Sequence, residues 1–195
     1  MNFSDLLKKT AAYLSSKAKE AVDWYKQKVL KIGSSSSLKD PDNVFKKGSY
    51  PEIGKMFIYY YDPKYKDILP FWDTYPLVIP IEPITSSKAS GPGFLGINLH
   101  YLPPLQRAAL LQALMDLRTN DKYDNTTKLN ISYSLLKGYA SRYAGFDQCV
   151  KRYLLGHIRS SFYEINYNDW EKVVMLPLQK WNINPNKRIA GRPPY

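Results

Sequence analysis

Three short runs of strand-forming residues, Met56–Tyr61, Leu77–Ile81 and Phe94–Leu99, limit the fold more than anything else in the chain. Each is rich in β-branched or aromatic residues and is closed by Pro, Gly or Asp, as strands bounded by turns are. They are the expected core sheet. The segments around them read as helices and connectors. The expected class is therefore α+β: a small mixed or antiparallel sheet packed by three or more helices, with a long N-terminal helix and an extended C-terminal arm.

The first segment carries the clearest helical period. Ser4 is placed to cap it and Asp5 suits its first turn, while Leu7, Leu14, Ala18, Ala21, Tyr25, Val29 and Ile32 recur at helical spacing. Lys8, Lys9, Lys17, Lys19, Lys26, Lys28 and Lys31 fall mostly on the other side, and Gly33 marks a stop. At 1.5 Å per residue such a helix reaches about 40 Å, longer than a small domain is wide. Its stripe can dock on its own domain, pair with copies of itself or run along a neighbouring protein. A membrane surface ranks last, because the stripe relies on Ala and Tyr rather than bulky aliphatics. Leu7, Leu14, Ala18, Ala21, Tyr25 and Val29, with Tyr195 at the far end of the chain, are the candidate protein interface.

A serine tract, Ser34–Ser37, and the following Leu38–Asp42 read as a linker, with Phe45 and Tyr50 as anchors where the arm rejoins the body. Asp62–Asp67 is turn-forming. Pro70, Pro76, Pro80 and Pro83 mark the second strand as an edge strand or one broken by a bulge, and Ser86–Gly93 is the expected hairpin loop. Pro103 and Pro104 open a helix through Leu117, and Asn120–Asn125 breaks it. A second helix runs from Thr126 or Thr127 to Ala144-Gly145. A third is expected from Asp147, carrying Val150, Tyr153, Leu154, His157 and Ile158. Phe162–Asn166 is a short strand, and Asn168 or Asp169 starts a turn that sets Trp170 and Val173 inward. The chain thus divides into an amphipathic helix and linker (1–50), an α+β body (51–181) and an extended basic arm (182–195).

Charge is the strongest bulk signal. The net charge is +11, with ten Lys/Arg against five Asp/Glu in residues 1–50, six against six in 51–120 and twelve against six in 121–195. Basic flanks around a neutral middle favour a polyanion or an acidic protein surface as partner. The candidate polyanion-binding residues are Lys137, Arg142, Lys151, Arg152 and Arg159 on a basic helical face, with Lys187, Arg188 and Arg192 in the arm. Tyr59, Tyr60, Tyr61, Tyr65, Phe71, Trp72 and Tyr75 either pack the two faces of the sheet or form a surface that another molecule covers.

Chemistry is not indicated. Cys149 is alone, so no internal disulfide or cysteine-based zinc site can form. Cys149 and His157 are eight residues apart, the wrong phase for a facing pair on one helix. Of Asp62, Asp67 and Asp73, which could in principle hold magnesium, Asp62 and Asp67 flank lysines and lie in turn sequences where turn-making or ion pairing is the better account, and Gly91-Pro92-Gly93 lacks the Lys-Ser/Thr of a phosphate loop. No cofactor, metal site or catalytic residue is expected. No run approaches the roughly 20 apolar residues of a membrane span, and no apolar leader opens the chain.

A set of motifs adds to this reading: Tyr61-Asp62-Pro63-Lys64 through Leu69-Pro70, Trp72-Asp73 to Tyr75-Pro76-Leu77, and Gly93 through Pro104. Lys128–Tyr133, Lys151–Leu154 with His157–Ser160, Trp170 and Met175-Leu176-Pro177 belong to the same set. Over residues 55–181 the chain resembles virion-associated proteins of contractile-tailed, T-even-like phages, variously described as structural proteins or DNA end protectors. The resemblance implies a protein of the virion, made in the host cytoplasm. The first expectation is a non-enzymatic structural part of the tail, baseplate or neck, holding other virion proteins in a symmetric assembly through its terminal arms. The alternative is a protein that binds double-stranded DNA and caps the genome ends during head completion. The resemblance carries over no functional residue, and the Ile189–Tyr195 tail departs from it.

Overall fold

The computed structural model describes residues 3–34, 50–64, 72–87, 91–142 and 149–178. Alternation along the second strand sets the architecture, because Leu77, Ile79 and Ile81 enter one apolar cluster and Val78 the other. Strands β1 (Phe57–Ile58), β2 (Leu77–Ser87), β3 (Gly91–Asn98), β4 (Val150–Leu154) and β5 (Tyr163–Glu164) form one sheet in the order β4-β3-β2-β1-β5. Every neighbouring pair is antiparallel. Helices α1 (Phe3–Ser34), α2 (Pro104–Arg118), α3 (Asn125–Arg142) and α4 (Trp170–Met175) complete the expected α+β fold with its long N-terminal helix.

Both faces of the sheet are apolar, and they are covered differently. Ile58, Leu77, Ile79 and Ile97 meet Ala21 and Trp24 of α1, Leu110, Leu111 and Leu114 of α2, Leu136 of α3 and Trp170 and Val173 of α4. On the opposite face Phe57, Tyr59, Tyr61, Phe94, Tyr153 and Phe162 pack on one another, with ring centroids 4.9 to 6.2 Å apart and mostly edge to face. Such pairs add about 0.5–1.5 kcal/mol each beyond the area they bury. Most of the tyrosines of the first strand run are therefore core.

Three sequence expectations are corrected. The residues expected to continue a helix from Asp147 are not helical: Val150–Leu154 are β4, and a 3₁₀ turn follows at Leu155–His157. Val150 packs toward the helices while Tyr153 enters the aromatic face, an alternation of period two that reach of a β3 partner selects over the helical period. The proline-bearing β2 is interior rather than an edge, and runs to Ser87. Its ladder with β3 accommodates Pro80 and Pro83 through a register shift between Pro80 and Glu82, the bulge that was the other expectation. β1 is only two residues long, extended by an isolated bridge from Tyr61 to Ile158. The 35–49 linker with Phe45, the end of the 62–67 turn and the 182–195 arm lie outside the described residues; Tyr50 donates to the Ile84 carbonyl at 3.2 Å.

Helix ends follow local chemistry. Pro104 opens α2, and the Asp124 carboxylate caps α3 by accepting from the Thr127 N–H at 2.7 Å. The end of α4 is held differently. Arg107, fully buried in α2, donates from Nε to the Leu102 carbonyl at 2.6 Å and from Nη1 to the Val173 and Leu176 carbonyls at 2.9 and 2.6 Å. A guanidinium thus satisfies the carbonyls that the short α4 leaves open and clamps it to α2. Burial pulls the pKa of Arg107 down to about 10, so it is still charged at neutral pH.

Replacing Arg107 with Met should lower unfolding free energy by roughly 2–4 kcal/mol, because buried carbonyls lose their donor; chemical denaturation showing no change would reject the clamp. Gly93 is the second sensitive point, since a Cβ there would overlap the Tyr153 carbonyl oxygen of β4. Gly93→Ala should cost at least about 2 kcal/mol and raise hydrogen exchange at the β3–β4 ladder first.

Candidate nucleic-acid interface

The cations singled out in the sequence do not form one helical face. Lys151 and Arg152 are neighbours on a strand, so they project to opposite sides of the sheet. Lys151 is half-buried, with its Nζ 5.8 Å from the Tyr101 ring centroid, and burial lowers its pKa. Arg152 is exposed and donates to the Gly91 carbonyl at 3.1 Å. Lys137, on α3, pairs with Glu82 at 3.0 Å and lies 4.7 Å from the Tyr133 ring centroid. A hydrogen bond from Tyr133, then that from Lys137, holds the Glu82 carboxyl below its usual range. Arg159 sits 3.5 Å from Asp62. The side chain of Arg142, and Lys187, Arg188 and Arg192, lie outside the described residues.

Ion pairing offsets part of the positive charge of the described residues. Lys17 pairs with Glu20 at 2.9 Å, Lys55 bridges Glu52 and Glu164, and Lys28 and Lys172 share Asp169. The sequence of residues 179–195 is different, with Lys180, Lys187, Arg188 and Arg192 and no Asp or Glu.

The candidate interface stripe of α1 divides in two. Ala21 is buried and Tyr25 and Val29 pack against the sheet's helical cover, so this half docks on its own domain. Towards the N-terminus the helix runs clear of the core: Tyr13 and Leu14 are 58% and 49% exposed, and Ala18 is half-buried. The Leu7 side chain and Tyr195 lie outside the described residues.

A polar network that sequence reasoning missed lies where β3 ends. One oxygen of Asp73 accepts from Asn98 Nδ2 at 2.8 Å and lies 3.0 Å from His100 Nδ1. The Asn98 amide also reaches the Tyr153 hydroxyl at 3.2 Å and accepts from the His100 N–H at 3.0 Å. The Tyr25 and His100 rings meet edge to face with centroids 4.9 Å apart, and Tyr25 donates to the Tyr75 carbonyl at 2.6 Å. The signal was partial: Asn98 and His100 stand out as polar residues two apart at the end of an apolar run, and the structure joins them through a 3₁₀ turn at Leu99–Tyr101 that Asn98 caps. The network fixes residues 73–75 against α1, β3 and β4. Beside it, the rings of Tyr60 and Tyr75 stack at 5.4 Å and 27°.

The other reactive side chains are engaged separately. Burial pushes the Cys149 thiol up to about 11, and its Sγ lies 3.1 Å from the Tyr101 carbonyl. His157 Nδ1 is 2.8 Å from the Asp62 carbonyl. Asp62 and Asp73 thus serve different partners, and Asp67 lies outside the described residues. Among the described residues no helix is long and apolar enough to cross a membrane.

Comparison with known proteins gives one finding. The model of the family described as the phage T4 terminal DNA protecting protein matches residues 2–192. No curated protein and no solved structure matches the chain. The match spans nearly the whole chain, from α1 to the basic C-terminal segment, and the chain belongs to the phage T4 terminal DNA protecting protein family.

Proposed function

We propose that this protein binds the ends of linear double-stranded DNA in the phage particle and shields them by occupancy, without a reaction of its own. Family membership carries this reading, and the net charge of +11 supports it, because a polycation gains free energy by displacing counterions from the duplex. Phosphate contacts of this kind set position without reading sequence, as a protein that meets any genome end requires. The basic C-terminal segment, with four Lys/Arg and no Asp or Glu in residues 179–195, adds cations that no carboxylate side chain of the same segment offsets.

A structural role among virion proteins of the tail, baseplate or neck is the second reading. The exposed stretch of α1 over residues 12–16, with Tyr13 and Leu14, favours it by offering a surface to a protein neighbour. The two roles are compatible in one particle, but the family favours DNA as the primary partner.

Binding of the purified full chain to a blunt duplex should weaken steeply with salt. About five phosphate contacts give a log–log slope near −4.5, which is about a 500-fold loss of affinity between 50 and 200 mM salt. Exonuclease digestion of the same duplex should slow in step with occupancy. A shallow slope matched by an acidic polymer control, with no protection from exonuclease, would leave the structural reading in its place. Deleting Asn182–Tyr195 removes three cations and should reduce the slope by up to about 2.7 while the thermal transition of the body stays put.

A further inference from the structure

We infer that Tyr60 and Tyr75 form a stacking platform for the terminal base pair of a DNA duplex, an inference that rests on the end-binding reading above and assigns its recognition site. The two rings are already stacked, 5.4 Å apart at 27°, and Tyr60 is 38% exposed while its strand neighbours Tyr59 and Tyr61 are buried in the aromatic core. Strand alternation turns Tyr60 away from that core. It is the large ring of this run that another molecule can cover.

The platform is held rigidly. The Tyr60 N–H donates to Ser160 Oγ at 2.8 Å, and its carbonyl accepts from the Arg159 N–H at 2.8 Å. Tyr61 N–H donates to the Thr74 carbonyl at 2.8 Å, tying the segment that carries one ring to the segment that carries the other. Tyr75 is anchored by the hydrogen bond from Tyr25, and Asp73 by Asn98 and His100. A flat surface fixed before binding loses little freedom when a second flat surface meets it.

The occupant follows from geometry. Inside a duplex every base is covered above and below, so an aromatic plane finds no free π face there; at an end, the last base pair exposes one whatever its sequence. Stacking therefore tells an end from the interior and tolerates every base. A cationic group for a flanking phosphate lies beside Tyr60: Arg159, whose backbone bonds Tyr60 and whose side chain, 47% exposed and 3.5 Å from Asp62, can exchange that carboxylate for a phosphate.

The test compares full-length protein with Tyr60→Ala and Tyr60→Phe variants on a short blunt duplex and on the same duplex closed at both ends by hairpin loops. A fluorescent adenine analogue in the terminal pair reports stacking directly. Wild type and Tyr60→Phe should favour the open duplex and quench the analogue. Tyr60→Ala should lose roughly 5- to 150-fold of affinity for the open duplex, with quenching abolished and closed-duplex affinity unchanged. Unchanged preference and quenching in Tyr60→Ala overturn the platform, as does an equal loss on both duplexes. A wild type that binds both duplexes alike instead overturns the end-binding reading itself. Tyr60→Phe, which keeps the ring, separates loss of stacking from loss of fold.

Discussion

A sheet with apolar side chains on both faces must be covered twice, and the rest of this fold answers that requirement. Four helices cover one face. The other is closed by residues of the sheet itself and the loop after β4, through edge-to-face packing of Phe57, Tyr59, Phe94, Tyr153 and Phe162. Aromatic rings suit this second task, because each fills a large volume at the cost of only two side-chain torsions. Strands as short as β1 and β5 persist because their side chains are captured in these layers, since two residues of ladder bonding contribute little alone.

Two sets of polar groups enter the interior where elements must be joined. Arg107 binds three carbonyls and fixes α4 to α2. Asp73 gathers Asn98 and His100 at the end of β3, and His100 in turn meets Tyr25 of α1. The first contact stabilises the helical layer. The second orders the segment that carries Tyr75, so it links the fold to the surface proposed to meet DNA. Buried polar contacts of this kind are costly when half-made, which makes the geometry they enforce narrow.

The sequence was most legible where a period ran long. The α1 stripe and the Pro-opened α2 were readable from spacing and β2 from its β-branched residues and prolines, while the choice between a mixed and an antiparallel sheet was left to the structure. β4 was misread because Val150, Tyr153, Leu154 and His157 satisfy a helical spacing as readily as an alternating one over so short a run. Pairing with β3, a contact between residues more than fifty apart, decided the matter, and no local signal contains it. The same error built a basic helical face from Lys151 and Arg152, which a strand sends to opposite sides. Ion pairs such as Lys137 with Glu82 and Arg159 with Asp62 were equally hidden, being set by packing. Tyr60 and Tyr75 were visible as aromatic residues, but not as a stacked pair.

Electrostatics alone is poorly suited to the proposed task. A charged protein gains most where phosphates are dense on both sides of it, and the end of a duplex has phosphates on one side only, with a thinner counterion atmosphere to release. A purely cationic surface would therefore prefer the interior of a duplex to its end. Selecting an end needs a contact that the interior cannot make, and the exposed face of the last base pair is such a contact. In this protein the net charge gathers in the two flanks, ten Lys/Arg against five Asp/Glu in residues 1–50 and four against none in 179–195, and a fixed pair of rings stands at the surface of the body. That separation lets charge supply general affinity while the aromatic plane selects the end, a division of labour that one continuous basic patch could not provide.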